Sequence, residues 1–259
     1  MQYKVCYIRL LPLLFVFSCA QKKNEQQLPV VNAAAIVKDF STWWNYNAGI
    51  NFSVNYISLD TAKKIITKEA FLRSLISGEY VPLKEFSTGS AITYALYKLG
   101  PLADSTIKEQ IKQIGEKQLH YYQLEGTQLP GFYFTDIEGN VYNKETTKGK
   151  IVVIKTWFIH CKQCVEEIPE LNEAIKPFKN RKDILFVSLA YDTRQQLKNF
   201  MAKTTFNYAA VPEQQTYLIS QLKIYESPTH LVINREGIIS KVIGSNYKDM
   251  IAYLKNEAL

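Results

Sequence analysis

The stretch that decides the fold is residues 151–164, which read IVVIKTWFIHCKQC. Its first four residues form a continuous apolar run after Gly149-Lys150, as expected of a strand that is buried on both faces. Two cysteines, Cys161 and Cys164, follow three residues apart, and a helical stretch comes directly after them. A buried strand that leads into a cysteine pair at a helix start predicts an α/β domain with its thiols at the end of a central strand.

Working outward from this stretch, strands alternate with helices and the chain ends in a hairpin and a helix. Short apolar or aromatic runs, punctuated by glycine and asparagine, predict the strands. This order indicates a mixed sheet flanked by helices. The predicted elements are a hairpin around Asp136–Asn140, strands at 184–190, 231–234 and 238–243, and helices at 193–203 and 247–256.

The Cys161-Lys162-Gln163-Cys164 motif suits dithiol–disulfide exchange. A helix N-terminus offers free N–H groups and positive dipole density, which favour a thiolate at Cys161. Cys164 can then attack a mixed disulfide from within the same turn. Two alternatives stay open at this point. The pair could be half of a zinc site completed by histidines, or it could be an inert structural disulfide.

The N-terminus predicts a secretory signal. Lys4 and Arg9 precede a short apolar run, residues 10–17, which is too brief to cross the ~30 Å hydrocarbon core of a bilayer. The following Ser18-Cys19 resembles a bacterial lipobox, which implies cleavage after Ser18 and a diacylglycerol on Cys19. Residues 1–18 are then a signal peptide and the polar residues 19–29 a tether.

Cleavage would leave only Cys161 and Cys164 as thiols, because Cys6 departs with the signal and Cys19 is lipidated. An exported protein meets an oxidising compartment, where an unpaired thiol is a liability. The retention of one close pair therefore supports a redox role.

Residues 30–125 predict a smaller, mixed α+β domain of unknown role, with a boundary near Glu125 before a second domain at 126–259. Thr67 is a candidate cap for a helix at 68–76, and Asp104 for one that runs to about residue 123. Aromatic and β-branched residues between Phe40 and Leu59 predict short strands.

The composition excludes several classes of protein. The 259 residues are 47% hydrophobic and 21% charged, so the chain is not largely disordered. Four cysteines are too few for a disulfide-stapled scaffold. The formal charge of +7 is scattered without a block of like charges, so the sequence does not predict nucleic-acid binding.

Residues 128–259 resemble a thioredoxin-fold domain of the TlpA/ResA type, the membrane-anchored or exported thiol–disulfide oxidoreductases. Trp157 stands four residues before Cys161, as in the family's entry to its active site. Residues 167–172 are close to the family's helix after the motif, and Pro169 falls five residues after Cys164. Ser227-Pro228-Thr229 matches the family's cis-proline loop.

The resemblance implies a thioredoxin-like fold and a set of site residues. The cis-proline loop, Ser227 and Pro228, would face the cysteines and contact the substrate chain, and Trp157 is taken with it as a substrate-binding residue. Glu167 matches the glutamate that handles the proton of the second cysteine in ResA-type proteins. Lys155 occupies the position of thioredoxin's buried aspartate, which suggests that it poises Glu167.

Two further side chains beside the motif are candidates for tuning the pKa of the first thiol. His160 replaces the family's usual tryptophan directly before Cys161, and Lys162 follows that cysteine. A positive charge on either side chain would favour a Cys161 thiolate. The alternative is that both are exposed polar residues around the motif.

These features predict an exported, lipid-anchored oxidoreductase of the cell envelope that faces the periplasm and reduces protein disulfides. Its expected partners are protein thiol or disulfide substrates, an upstream electron donor and a membrane reached through Cys19. We expect no metal and no cofactor beyond the redox-active cysteine pair. Two alternatives remain: a peroxiredoxin-like peroxidase, although the upstream Pro-x-x-x-Thr-x-x-Cys signature is missing, and a binding module whose disulfide is structural.

Overall fold

The computed structural model describes Gln2, residues 32–85 and residues 91–257. The predicted signal peptide (but for Gln2), the lipidated Cys19 and the tether lie outside these residues and stay predictions. Within the described ranges, no helix combines the length and the apolar character needed to cross a membrane.

The N-terminal half, residues 32–125, builds a four-stranded sheet with helices. The strand order is β2-β1-β4-β3, in which β1 and β4 are parallel and the outer pairs are antiparallel. The mixed α+β character predicted for this half is confirmed. Its elements among the described residues are α1 (Ala33–Ile36), α2 (Phe40–Asn47), β1 (Tyr56–Leu59), β2 (Ile65–Ile66), α3 (Lys68–Ile76), β3 (Tyr80–Glu85), β4 (Ile92–Lys98) and α4 (Ser105–Leu124).

The prediction of short strands between Phe40 and Leu59 is wrong for its first part, which forms α2. The Asp39 carboxylate accepts a hydrogen bond from the N–H of Thr42 at 2.7 Å and caps this helix. Trp43 is buried in the core of the half. Strand propensity depends strongly on packing context, so a good cap and one deeply buried indole outweigh the aromatic composition.

Helices α3 and α4 pack closely against each other, and both predicted caps are confirmed. Thr67 accepts a hydrogen bond from the N–H of Ala70, and Asp104 accepts one from that of Thr106. Gly115 lies where the helices meet. A Cβ at this position would stand 2.9 Å from the backbone nitrogen of Ile76, so the close approach requires glycine.

The C-terminal half, residues 126–257, has the predicted thioredoxin-like architecture. A five-stranded mixed sheet has the order β11-β10-β7-β8-β9, with helices packed on it, and a small hairpin, β5-β6, precedes it. Its elements are β5 (Tyr133–Thr135), β6 (Val141–Asn143), β7 (Ile151–Trp157), α5 (Lys162–Glu166), α6 (Ile168–Ile175), β8 (Ile184–Ala190), α7 (Arg194–Met201), β9 (Ala209–Val211), α8 (Gln215–Ser220), β10 (Thr229–Ile233), β11 (Ile239–Ile243) and α9 (Tyr247–Glu257).

Strand β7 is the centre of this sheet and leads to the cysteines. It runs parallel to β8 and antiparallel to β10, and all seven of its residues are buried. Val152 and Ile154 belong to the apolar cluster on one face, whereas Ile151 and Val153 belong to the cluster on the other. The continuous apolar run is therefore explained by a strand covered on both faces.

The two halves pack together, since the described residues from 32 onward belong to one compact unit. Tyr121, near the end of α4, belongs to the apolar core of the C-terminal half. The Glu125 carboxylate pairs with Lys241 of β11 at 3.0 Å. The connecting segment, residues 126–129, continues along β11, because the N–H of Gly126 donates to the Ile239 carbonyl at 2.9 Å. The division into domains near Glu125 stays a prediction.

Candidate active site

The two cysteines lie where β7 passes into α5, and they are joined in a disulfide. Cys161 is the N-cap residue of α5, and the backbone N–H of Cys164 is directed at its sulfur, 3.2 Å away. Cys161 is 9% exposed, whereas Cys164 is fully buried. Cys161 is therefore the sulfur that a substrate can reach, and Cys164 is the one that can resolve an adduct from inside.

The helix after the cysteines is broken at Glu167. Helix α5 ends at Glu166 and α6 begins at Ile168, with Pro169 in the first turn of α6. A proline is tolerated there because its missing N–H has no intrahelical partner to lose. The chain thus forms two short helices here, and the break between them falls at Glu167. Glu167, at the break, is only 8% exposed.

Three ionisable side chains meet at Glu167. The Lys155 ammonium contacts Oε1 of Glu167, and Nε2 of His230 lies 3.5 Å from the same oxygen. Lys155 on β7 and His230 on β10 are directly opposite each other in the strand register, and both are fully buried. We call Lys155, Glu167 and His230 the buried triad.

Burial changes the protonation behaviour of the triad. It lowers the pKa of Lys155 to about 7, because the ammonium loses its hydration. Burial, reinforced by the charge of Lys155, lowers the pKa of His230 to about 3, so this imidazole is neutral at physiological pH. Neither ring nitrogen of His230 has a hydrogen-bond partner among the described residues. Burial thus moves the pKa of Lys155 toward neutrality and keeps His230 uncharged there.

The loop before β10 faces the cysteines. The Ser227-Pro228 bond is cis, as predicted, and the Ser227 carbonyl oxygen lies 3.7 Å from the sulfur of Cys161. Thr156 anchors the loop, because its hydroxyl accepts a hydrogen bond from the N–H of Thr229 at 2.9 Å and lies 3.2 Å from the Ser227 hydroxyl. A substrate chain that reaches Cys161 would thus meet the backbone of Ser227.

The assignment of Trp157 as a substrate-binding residue is wrong. Its side chain is fully buried and packs against Phe200 and Phe206, with ring centroids 5.5 Å away in each case. It shares an apolar cluster with both cysteines. Trp157 therefore packs in the apolar interior next to the disulfide, where its side chain is not available to a substrate.

His160 and Lys162 lie at the surface on either side of Cys161. The Lys162 ammonium is 3.8 Å from the carboxylate of Glu166, one helical turn away, and both side chains are largely exposed. Water screens charges at such positions, so a surface pair of this kind contributes little. The tuning of Cys161 by these residues stays a prediction.

Sequence reasoning assigned no role to His230, which proved to be a member of the buried triad. The available signal was its position two residues after Pro228, at the start of a strand that pairs with β7.

The zinc alternative finds no ligand set here, because no cluster of three or more His, Cys, Asp or Glu suited to a metal occurs among the described residues.

Comparisons with known proteins match the C-terminal half. The AhpC/TSA family profile matches residues 126–242. The thiol-disulfide oxidoreductase ResA of Bacillus cereus is 28% identical over 127 residues, which cover 49% of this chain and 73% of the relative. The resemblance inferred from the motifs is confirmed. The C-terminal half is TlpA/ResA-like.

Further relatives align with the same half. ResA of Geobacillus kaustophilus is 24% identical over 46% of this chain and 68% of its own length. Among solved structures, a thioredoxin family thiol:disulfide interchange protein from Chlorobium tepidum is 23% identical and covers 51% of this chain and 97% of its own, with a TM-score of 0.44. The thioredoxin domain of a thiol-disulfide oxidoreductase from Bacteroides vulgatus is 22% identical. The match covers 51% of this chain and 96% of that structure, with a TM-score of 0.43.

Proposed function

We propose that this protein is an exported, lipid-anchored thiol–disulfide oxidoreductase that reduces protein disulfides. The observation that carries the proposal is the Cys161–Cys164 disulfide, in which Cys161 is slightly exposed beside Ser227 and Cys164 is fully buried. The similarity to proteins named ResA supports thiol–disulfide oxidoreductase activity. The direction of reduction follows from the TlpA/ResA resemblance.

The exchange proceeds in two displacements. The Cys161 thiolate attacks a substrate disulfide, so a Cys161–substrate bond forms, the substrate S–S bond breaks and one substrate thiolate leaves. The Cys164 thiolate then attacks the Cys161 sulfur and expels the second substrate thiolate. Two electrons pass from the protein dithiol to the substrate. An upstream dithiol donor returns them and becomes a disulfide itself.

The local geometry supports this order of events. The Cys164 N–H directed at the Cys161 sulfur would stabilise a thiolate there, as an N-terminal helix N–H does for other anions. Cys164 is buried among apolar side chains, an environment that opposes a free thiolate. The resolving step therefore needs a base that removes the Cys164 proton at the moment of attack.

Glu167 is our candidate for that base. It lies three residues after Cys164, a spacing at which side chains of a helical turn are neighbours. Its carboxylate is held by Lys155 and faces neutral His230. In this scheme Glu167 accepts the Cys164 proton.

Export and anchoring rest on the sequence alone. Residues 1–18 would be removed and Cys19 would carry the lipid, which tethers the enzyme to an envelope membrane on its periplasmic side. The protein needs no metal or organic cofactor in this scheme, because the cysteine pair itself carries the electrons. Its partners are protein disulfides and the upstream donor.

No observation favours the peroxidase alternative. The missing Pro-x-x-x-Thr-x-x-Cys signature argues against it, and the Thr156 hydroxyl is engaged by Thr229 and Ser227. The purely structural disulfide remains distinguishable by its reduction potential, since structural disulfides typically lie below about −300 mV.

Three measurements test the proposal. Equilibration with glutathione should give a reduction potential between about −300 and −200 mV, the range of exchange-active dithiols. In the Cys164→Ser variant, Cys161 should accumulate a mixed disulfide with a disulfide-bearing protein. If the cysteine pair resists reduction by glutathione and no mixed disulfide is trapped, the enzyme assignment is wrong.

The lipid anchor is tested separately. The Cys19→Ala variant should no longer partition into the detergent phase, and continued partitioning would contradict the anchor.

A further inference from the structure

A polar groove of about 350 Å³ opens beside the cis-proline loop, and both halves of the chain line it. From the C-terminal half it is lined by Gln163, from between the two cysteines, by the loop residues Glu226, Ser227 and Pro228, and by residues 244–246. From the N-terminal half it is lined by the loop at 48–53 and helix α4. We call this the junction groove. Its lining from the N-terminal half is Ala48, Ile50, Asn51, Phe52, Ser53, Lys117, Gln118 and Tyr121.

Direct bonds hold the N-terminal wall of the junction groove in place. The Lys117 ammonium pairs with the Glu226 carboxylate at 2.7 Å, one residue before Ser227. The Tyr121 hydroxyl lies 3.3 Å from the hydroxyl of Thr229, on the other side of Pro228. Helix α4 therefore contacts the cis-proline loop on both flanks of Pro228.

The loop of the N-terminal half is fixed in the same way. The Asn51 side-chain amide donates to the Asp249 carboxylate of α9 at 2.7 Å, and its backbone N–H donates to the Tyr94 hydroxyl at 2.9 Å. These hydrogen bonds order the loop before any substrate binds. Binding would therefore not carry the entropy cost of ordering it.

The groove is rich in neutral hydrogen-bonding groups. Its charged members, Lys117 and Glu226, pair with each other, so the lining presents little net charge. Amides and hydroxyls complement the N–H and C=O groups of a polypeptide backbone, which an extended segment leaves unpaired. The side chains of Asn51 and Asn246 are already bonded to Asp249. The other neutral polar groups are contributed by Ser53, Gln118, Tyr121, Gln163, Ser227 and Ser245.

We propose that the N-terminal half is the substrate-selecting wall of this enzyme: the junction groove binds an extended, uncharged polar polypeptide segment next to the substrate's disulfide. This inference rests on the proposed function. It assigns the residues before 126 a role in the reaction, and it makes the enzyme selective for disulfides in polypeptides over small disulfides, which have no flanking chain to fill the groove.

Photo-crosslinking tests where the substrate chain runs. A disulfide-containing peptide flanked by serine, asparagine and glycine is trapped on Cys161 of the full-chain Cys164→Ser variant. A photoreactive residue is placed two or three positions from its cysteine, about 7–10 Å along an extended chain. Adducts are expected within residues 48–53 or 117–121. Adducts confined to residues 126–257 would overturn the inference, whereas failure to form the mixed disulfide would instead reject the proposed function.

Kinetics test whether the wall selects. Gln118→Trp places a large side chain in the groove, and the ratio of kcat/KM for the peptide to that for bis(2-hydroxyethyl) disulfide should fall by about tenfold or more. Lys112→Trp is the matched control, because Lys112 is exposed on the same helix outside the groove. The control should keep the wild-type ratio.

An unchanged ratio in a folded Gln118→Trp variant would overturn the inference, and folding is checked by thermal unfolding against wild type. If that variant does not fold, Gln118→Ala with the same two substrates replaces it. The peptide KM should then rise while kcat holds, and an unchanged KM would equally count against the groove. A wild-type enzyme that reduces neither substrate would reject the proposed function itself.

Discussion

The two halves of the molecule treat polar side chains differently. In the described N-terminal half, the buried polar side chains are the hydroxyls of Ser58 and Thr93. The C-terminal half buries charged or ionisable groups as well, namely Asp136, Lys155, Glu167, His230 and Lys241. Burial of such groups costs free energy unless they are paired, and three of the five, Lys155, Glu167 and His230, meet in the buried triad.

This difference separates two tasks. The sheet that is covered on both faces holds the buried triad away from water, where proton affinities shift and exchange can be controlled. The N-terminal sheet keeps a neutral core and contributes its helix α4 to the junction groove. Proton transfer is thus assigned to the C-terminal half, and substrate selection to the N-terminal half at the junction groove.

The largest effect on stability should come from breaking the buried triad. Lys155→Met leaves the Glu167 carboxylate buried without its cation, and the free energy of unfolding should fall by about 3 kcal/mol. The double variant Lys155→Met/Glu167→Gln removes both charges and should regain most of that loss. Urea unfolding at pH 7 measures both values.

A matched pair lies at the junction of the halves. Lys241→Met breaks the Lys241–Glu125 pair, in which the carboxylate is partly exposed and also accepts the N–H of Val242. Its cost should be clearly smaller than that of Lys155→Met, since water can solvate Glu125. Equal costs for the two variants would contradict the special status of the triad.

Glu167→Gln should slow disulfide exchange by about 10- to 100-fold, because an amide cannot accept the Cys164 proton. Stopped-flow oxidation of the reduced protein across pH 6–9 gives the rate. The first displacement by Cys161 should be little affected, so a mixed disulfide should accumulate. Rates equal to wild type across this range would remove the proposed role of Glu167.

His230 should make the protein sensitive to acid. Its folded-state pKa, about 3, lies below the ordinary 6.5, so the unfolded chain binds the proton that the folded chain refuses. The contribution of His230 to the free energy of unfolding is fully present above about pH 6.5. It decreases as the pH drops toward 3, by at most about 1.4 kcal/mol per pH unit.

The variant His230→Gln should flatten the slope of unfolding free energy between pH 6 and 4. His120→Gln is the control, because His120 is only half-buried and its ring nitrogen is hydrogen-bonded to the Leu222 carbonyl at 2.7 Å. The same slope in wild type and His230→Gln would show that other groups account for the acid sensitivity.

The smallest effect on stability is expected at the junction groove. The Lys117–Glu226 pair is partly exposed, so Lys117→Met should lower the free energy of unfolding by less than about 1 kcal/mol. A double-mutant cycle with Glu226→Gln isolates the pair. A coupling above about 2 kcal/mol would mean that the halves depend on this contact for stability rather than for substrate selection.

Local signals predicted much of the fold. Thr67 and Asp104 mark helix starts through their own side-chain hydrogen bonds, and strand 184–190 was bounded correctly, because its residues form a short apolar run. The strands predicted near Phe40 failed, because the burial of Trp43 depends on helices that are distant in sequence. Strand β9 (Ala209–Val211) was missed, since three small residues carry little signal.

The site was predictable where its residues are close in sequence. The cysteine pair and Glu167 lie within seven residues, and their spacing could be interpreted directly. His230 joins Lys155 only through the register of β7 and β10, and Lys117 meets Glu226 across 109 positions. Such contacts are set by tertiary packing, which a single sequence without homologues does not reveal.

The segment that links the two halves determines how truncated forms of the protein should behave. Strand β11 is the outermost strand of its sheet, and the connecting segment covers it through bonds between Gly126, Thr127 and Ile239. A fragment that begins after Leu129 would expose an unpaired strand edge, which is a template for self-association. Such a fragment should dimerise or aggregate with its cysteines untouched, and one that begins at Gly126 should resist this.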